Sequence, residues 1–198
     1  MTELATNGRA IAVFNTLPEA EATRRLMACL AVPRWAQEVA GGRPYADVAA
    51  LTAGADAAAA ELSDTELTAA LARHPRIGER AGSGHDAAFS AQEQSGVEPD
   101  DAISARLTAG NLAYERRFGR VFLIRAAGRD GAEILAELER RLGNDEKAER
   151  AETVAQLREI AVLRLNEVVR AMDEQARTDG NGTGVGQPAR HDEKGSRR

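Results

Sequence analysis

The chain contains few cysteine and aromatic residues. It has one cysteine, Cys29, among 198 residues, so no disulfide can form within the chain. A lone cysteine is typical of a reducing compartment, and Cys29 lies in an apolar helical stretch, where a small buried hydrophobic residue is expected. Only 4% of the residues are aromatic. The core therefore has to be built mainly from small and aliphatic side chains.

Long apolar runs and an excess of positive charge are also missing. No run of about 18 apolar residues occurs, so no transmembrane span is expected, and the N-terminus lacks the basic and apolar regions of a signal peptide. The formal net charge is −5 with both signs interspersed, whereas a nucleic-acid-binding protein usually has a basic face. The sequence therefore predicts a cytoplasmic protein that binds neither nucleic acid nor membranes.

The sequence does contain a series of helix patterns. Ala, Leu, Arg and Glu are frequent, and all four favour helices. Helix start signals occur at Asn15 or Thr16, Ser63, Ser90, Asp130 and Asn144. These patterns predict a single all-α domain over residues 1–176, a bundle of about eight helices. Residues 177–198 are polar and rich in glycine at their start, which predicts a disordered tail.

One short segment departs from the helical pattern. Residues 121–124 form a continuous apolar run with Gly119 before it and Gly128 after it, which favours an extended conformation over residues 121–126. In an all-helical protein such a segment has no sheet in which to pair its main-chain groups. Those N–H and C=O groups need other partners, and a polar ligand is one candidate.

The helical pattern stops abruptly at His74 and Pro75. Pro75 has no amide hydrogen and pushes His74 toward extended geometry, so His74 is expected where a helix ends and a glycine-rich loop begins. Such a position can present an imidazole, which titrates near neutral pH, to a cleft. The alternative is a histidine that is only stabilised by the negative end of the helix.

Three further polar residues, Ser90, Glu93 and Arg164, leave a functional and a structural interpretation open. Ser90 and Glu93 would lie on one side of a short helix, where they form either a capping box or part of a site. Arg164 lies four residues from both Ile160 and Val168, on or beside the apolar face of the last helix. A guanidinium there needs an anionic partner, which either the protein or a ligand can provide.

Four motifs, taken in order, resemble one enzyme family. They are His74-Pro75-x-Ile77-Gly78, Ser90-x-x-Glu93-Gln94-x-Gly96, Phe118-Gly119-x-Val121-Phe122-Leu123-Ile124 and Leu163-Arg164-Leu165. The resemblance is to 2-oxo-4-hydroxy-4-carboxy-5-ureidoimidazoline (OHCU) decarboxylase, an enzyme of uric acid degradation, and it spans roughly residues 14–172. Each motif is weak alone, and their order and spacing carry the resemblance. It implies an all-α protein, often a homodimer, that acts on a small-molecule substrate with no metal and no organic cofactor.

The resemblance also implies which residues act. His74 matches the catalytic histidine of the family, and Glu93 and Arg164 match its catalytic partners. The positions that match substrate contacts are Pro75, Ser90, Ala91, Gln92, Glu93, Gln94, Phe122, Leu123, Ile124, Arg125 and Ala126. The implied reaction is the loss of carbon dioxide from OHCU with protonation of one face, which gives (S)-allantoin. The chain departs from the family at two positions. Members of the family often have Pro at the position of Val121 and a small residue at the position of Arg125.

Two other functions stay open at this point. A metal-dependent hydrolase would use His74, His85, Asp86 and Glu93, but their spacing matches no usual pattern of metal ligands. A non-catalytic helical module that binds ureides or acts as a regulator would have the same fold without turnover. Allantoin formation measured with and without the protein separates this module from the decarboxylase.

Overall fold

Eight α-helices and no β-strand lie in the part of the chain that the structure describes. The structure is a computed structural model that describes residues 2–74, 76–77 and 101–181, with the side chains of 8–74, 76–77 and 101–178. The helices are α1 (Thr2–Thr16), α2 (Glu19–Cys29), α3 (Pro33–Gly41), α4 (Val48–Ala60), α5 (Asp64–Leu71), α6 (Asp101–Phe118), α7 (Gly131–Arg141) and α8 (Glu146–Asn181). The all-α prediction is confirmed. None of these helices is both long and apolar enough to cross a membrane.

The helices pack around two hydrophobic cores. The first core lies between α1 to α5 and α8, and its fully buried large side chains include Phe14, Leu26, Trp35, Leu51 and Leu165. The second core lies between α6 and α7, and it is built by Leu107, Tyr114, Phe118, Ile134 and Leu138 among others. Each fully buried leucine stabilises the fold by about 2 kcal/mol. The long helix α8 packs on α1, α2 and α4 and so organises the first core.

Two predicted capping boxes define the starts of α5 and α7. The Ser63 side chain accepts from the Glu66 amide, and the Glu66 carboxylate accepts from the Ser63 amide at 2.9 Å. Asp130 and Glu133 form the same reciprocal pair. Both boxes satisfy amides that a helix start leaves unbonded. Glu66 also accepts a hydrogen bond from Arg34 of α3, and this guanidinium is the main reason that the pKa of Glu66 falls to about 2.

Helix α1 was not predicted from the sequence. The helix start that the sequence predicts around Pro18 and Glu19 is confirmed by α2, whereas the expected cap at Asn15 or Thr16 is wrong, because these two residues end α1. Ala10, Ile11 and Phe14 are buried in the first core, so packing of α1 against α8 defines this helix. The Asn15 side chain holds a loop instead. Its amide donates to the Tyr45 carbonyl and its oxygen accepts from the Tyr45 amide, both at 2.9 Å.

The predicted cap of the last helix is displaced by one residue. Asp145 fills that role, because its carboxylate accepts from the Ala148 amide at 2.8 Å. The Asn144 side chain donates instead to Glu149 at 2.8 Å. The hydrogen bond that Asn144 donates to the Glu149 carboxylate is charge-assisted. It is therefore stronger than the neutral hydrogen bond that Asn144 would accept from a main-chain N–H at the helix end.

The last helix also runs further than predicted. It continues to Asn181, five residues beyond the expected end at position 176. Arg177 and Asp173 lie one turn apart with 3.3 Å between Nε and Oδ2, and such a pair supports the additional turn. Residues 182–198 and the short helix expected from Ser90 lie outside the described residues, so the disordered tail stays a prediction.

Candidate active site

The chain crosses from the first core to the second directly after α5. Leu71, the last residue of α5, is buried in the first core, and Ile77 is buried in the second. His74 lies between them and is half-buried. Its amide donates to the Leu71 carbonyl at 3.0 Å. The predicted helix end before His74 is confirmed, and the imidazole lies where the chain passes between the cores.

A main-chain carbonyl orients the His74 ring. Nδ1 lies 2.9 Å from the Ala70 oxygen. Because a carbonyl oxygen can only accept a hydrogen bond, Nδ1 carries the proton of the neutral ring. Nε2 is then the basic nitrogen. A ring held in this way has one defined atom for taking up or giving a proton.

Two side chains of α6 bind residues 76 and 77, which follow His74. Glu115 accepts two hydrogen bonds from the Arg76 guanidinium, one of them at 2.9 Å, and this pairing lowers the pKa of Glu115. The buried Asn111 donates its side-chain amide to the Ile77 carbonyl at 3.1 Å. The second core therefore fixes residues 76 and 77. Asn111 and Glu115 were not predicted as supports of the site.

Residues 121–126 run between the two cores as an extended chain. They belong to neither a helix nor a strand. Phe122, Ile124 and Ala126 are buried in the second core, whereas Leu123 is buried in the first. Alternation with a period of two is the pattern of an extended backbone. The prediction of an extended segment is confirmed.

Side chains from α7 and α8 supply partners for part of this backbone. The Leu123 carbonyl accepts from Arg141 Nη1 at 2.8 Å. The Arg125 amide donates to Gln156 Oε1 at 2.9 Å. Both partners project from helices that pack beside the segment, so its conformation is set by tertiary contacts.

The main-chain groups of Phe122 and Ile124 differ from those of Leu123 and Arg125. Phe122 and Ile124 are 2% and 3% exposed. Within the described residues, their main-chain amides and carbonyls make no hydrogen bond. Buried main-chain groups are nearly always paired. These four groups are therefore the part of the segment where a polar ligand is most expected.

A buried ion pair that the sequence analysis missed supports the same segment. The side chains of Arg141 and Glu149 are 1% and 0% exposed, and Arg141 Nε donates to Glu149 Oε1 at 2.9 Å. The Tyr114 hydroxyl donates to the same carboxylate, and burial, helped by this bond, raises the pKa of Tyr114. The Arg141 guanidinium also lies over the Phe122 ring, 4.8 Å from its centre. No local pattern marks this pair, because its members lie on different helices.

Arg164 lies on the buried face of α8, as the sequence predicts. It is 1% exposed, and its helix neighbours Ile160, Ala161 and Leu165 are buried in the first core. Burying a guanidinium at this depth is costly unless anionic or hydrogen-bonding groups surround it. The charge of Arg164 thus favours an anionic group nearby.

The other predicted site residues lie outside the described residues. These are Pro75 and residues 90–94, which include Glu93. Convergence of His74, Arg164 and the 121–126 segment on one pocket with them stays a prediction. Among the described side chains, no group of three His, Cys, Asp or Glu residues is arranged to hold a metal ion. His85 and Asp86, which a metal site would need, are also outside the described range.

The Arg125 side chain lies in a surface groove and explains one departure from the family. Its Nε lies 3.0 Å from a Glu159 oxygen. The groove, between α4 and α8, has a volume of about 510 Å³ and is also lined by Thr52, Asp56 and Asn166. Of the described residues predicted for the site, only Arg125 borders the groove. Its long side chain is therefore accommodated without entering the boundary between the cores.

Comparison with known proteins identifies the family. A family model described as OHCU decarboxylase matches residues 15–166. The chain belongs to the OHCU decarboxylase family. Over 79 residues it is 37% identical to 2-oxo-4-hydroxy-4-carboxy-5-ureidoimidazoline decarboxylase of Amia calva. That match covers 39% of this chain and 45% of the Amia calva protein, so the chain spans less than half the length of this relative.

Two solved structures share the fold of this OHCU decarboxylase family member. A crystal structure of OHCU decarboxylase in the presence of (S)-allantoin has a TM-score of 0.63 at 23% identity, and it covers 72% of this chain and 95% of the other. A crystal structure of (S)-allantoin synthase has a TM-score of 0.61 at 19% identity, and it covers 80% of this chain and 53% of the other. At these identities the two structures establish the common fold.

Proposed function

We propose that this member of the OHCU decarboxylase family converts OHCU into (S)-allantoin and carbon dioxide during urate degradation. The observation that carries the proposal is the His74 imidazole, which Ala70 holds in one tautomer between the two cores of a chain of this family. Cofactor independence and the homodimer that the family resemblance implies are parts of the same proposal.

The substrate provides its own place for the electrons of the broken bond. One ring carbon carries the hydroxyl and the carboxylate, and the next carries the ureido group and is doubly bonded to a ring nitrogen. When carbon dioxide leaves, the electron pair forms a double bond between the two carbons, and the C=N pair moves to the nitrogen, which takes a proton. No cofactor is needed to accept these electrons.

His74 handles a proton in the second half of the reaction. A proton adds to one face of the ureido-bearing carbon, while the neighbouring hydroxyl loses its proton and becomes a carbonyl. One proton is consumed overall. Because Nδ1–H is bonded to Ala70, the neutral ring accepts the hydroxyl proton at Nε2. Glu93 is proposed as the partner that binds ring or ureido N–H groups and helps to fix the protonated face.

Charge and main-chain hydrogen bonds position the substrate. The Arg164 guanidinium attracts the substrate carboxylate or the Glu93 side chain. A ureido group both donates and accepts hydrogen bonds, as do the main-chain groups of Phe122 and Ile124. Ser90 and Gln94 add neutral partners in this proposal. Holding the leaving carboxylate in line with the ring π-system by such contacts lowers the barrier without any new bond to the protein.

The decisive experiment follows allantoin formation by circular dichroism. OHCU is generated from urate in situ with a urate oxidase and a hydroxyisourate hydrolase, with and without this protein. We expect faster formation of allantoin as a single enantiomer when the protein is present. Racemic allantoin at the spontaneous rate contradicts the proposed function, and binding of allantoin without acceleration identifies a non-catalytic ureide-binding module.

Removal of metal ions is expected to leave the activity unchanged. The physical reason is that the conjugated C=N of the substrate accepts the electron pair, so a Lewis acid has no required part. The protein is dialysed exhaustively against a chelator, and its metal content and turnover are measured. Stoichiometric zinc in the purified protein, together with loss of activity on its removal, contradicts the cofactor-free reaction.

A further inference from the structure

We infer that Arg141 and Gln156 are positioning residues that hold one edge of the 121–126 segment, so that Phe122 and Ile124 present their main-chain groups to the ligand on the other edge. This inference rests on the proposed function and deepens it. It names two side chains that act on the substrate through the backbone.

The direction of the main-chain groups carries the inference. In an extended chain the N–H and C=O of one residue point to one side, and those of the next residue point to the opposite side. Leu123 and Arg125 are two residues apart and therefore share an edge. Arg141 binds the carbonyl of the first, and Gln156 binds the amide of the second. The groups of Phe122 and Ile124 consequently lie along the opposite edge.

Both holding side chains are themselves fixed. Arg141 is buried, pairs with Glu149, donates to the Thr153 hydroxyl at 3.2 Å and lies over the Phe122 ring. Gln156 projects from α8, two helical turns beyond Glu149, and its own amide donates to Glu159 at 3.4 Å. The segment therefore has little freedom to rotate about its long axis, and its ligand-facing edge is set before a ligand arrives.

The opposite edge fits a ureide. It offers two amides and two carbonyls from residues two apart, whose repeat along an extended chain is roughly 7 Å. A ureido group carries several N–H donors and a carbonyl acceptor, so it can satisfy both kinds of main-chain group. A simple carboxylate has only acceptors and leaves the two carbonyls without a donor. The held edge therefore selects for urea-like substrates over plain carboxylic acids.

Gln156→Leu tests the inference with little risk to the fold, because Gln156 is only partly buried. Losing one hold on the segment weakens ureide binding equally in the ground state and the transition state, so KM rises about five-fold while kcat changes less than two-fold. Gln156→Glu keeps an oxygen acceptor for the Arg125 amide and is expected to recover most of the KM. Gln37→Leu, at an exposed glutamine of α3, is the matched control.

Amide hydrogen exchange measures the hydrogen bond between the Arg125 amide and Gln156 independently of turnover. In Gln156→Leu the Arg125 amide is expected to exchange faster than in the wild type, and in Gln156→Glu it is expected to stay protected. If the wild type does not accelerate the formation of (S)-allantoin, the proposed function is refuted, whereas the exchange data still report on the hydrogen bond between Gln156 and the Arg125 amide. Unchanged exchange and unchanged KM in Gln156→Leu, or a fall in kcat with KM constant, overturns the inference.

Discussion

The His74→Asn variant is expected to lose about 10²- to 10⁴-fold of the catalysed rate while its fold stays intact, because general acid–base groups contribute on this order. The asparagine amide takes the place of Nδ1 and can still donate to the Ala70 carbonyl. It has no atom in the position of Nε2. The substitution therefore removes the proposed proton carrier and keeps the contact that ends α5. The rate is measured by the circular dichroism of allantoin, and the fold by thermal unfolding.

His191→Asn is the matched control for this variant. His191 lies in the tail that the sequence predicts to be disordered, so the control is expected to keep the wild-type rate. Near-normal turnover by His74→Asn contradicts the proton-handling role of the imidazole. A large fall in melting temperature for His74→Asn means that the helix end, and not the chemistry, depends on this residue.

The second large effect is expected from Arg141→Met, which destabilises the protein by about 3–5 kcal/mol. The substitution leaves Glu149 as an unpaired charge in the interior, where it is 0% exposed. It also removes the donor to the Leu123 carbonyl. For a domain of this size the loss corresponds to a fall of about 10 °C in melting temperature. Urea unfolding at neutral pH measures it directly.

Two further variants separate the ion pair from other effects. Arg140→Met, at the neighbouring residue of α7, removes exposed ion pairs with Glu137 and Glu152, which contribute no more than about 1 kcal/mol. The double variant Arg141→Met with Glu149→Gln removes the unpaired charge and is expected to recover at least half of the loss. If Arg141→Met costs no more than Arg140→Met, the buried pair does not support the fold.

Local signals in the sequence predicted the features that depend on near neighbours. Ser63 with Glu66 and Asp130 with Glu133 are capping boxes, and each places the start of a helix within a few residues. His74 was predicted at a helix end because Pro75 follows it, and the structure ends α5 three residues earlier. These successes share one cause: the determining contacts lie within four residues of each other.

The features that the sequence did not predict depend on distant contacts. Helix α1 was not predicted from the sequence, and it packs against α8. Arg141 and Glu149 lie on different helices. The sequence around each of them does not distinguish it from an exposed residue. Gln156 is partnered with Arg125, 31 residues away. Only the packing of the two cores brings such residues together.

Local patterns did not assign functional roles to individual residues. Those roles came from the family resemblance, which depends on the order of the four motifs. No single motif assigned a role to Arg164, because a buried arginine in a helix is equally well explained by an internal ion pair. The four motifs together pointed to the family, and the match over residues 15–166 confirmed it. The roles of Glu93 and of residues 90–94 remain predictions.

A crystal structure of this protein with (S)-allantoin tests the central claim most directly, namely that the ureide site lies at the boundary of the two cores. We predict that the ligand hydrogen-bonds the main-chain groups of Phe122 and Ile124, with His74 Nε2 and the Arg164 guanidinium within contact distance of it. Allantoin bound only in the surface groove between α4 and α8, or His74 and Arg164 on opposite sides of the domain, contradicts the account.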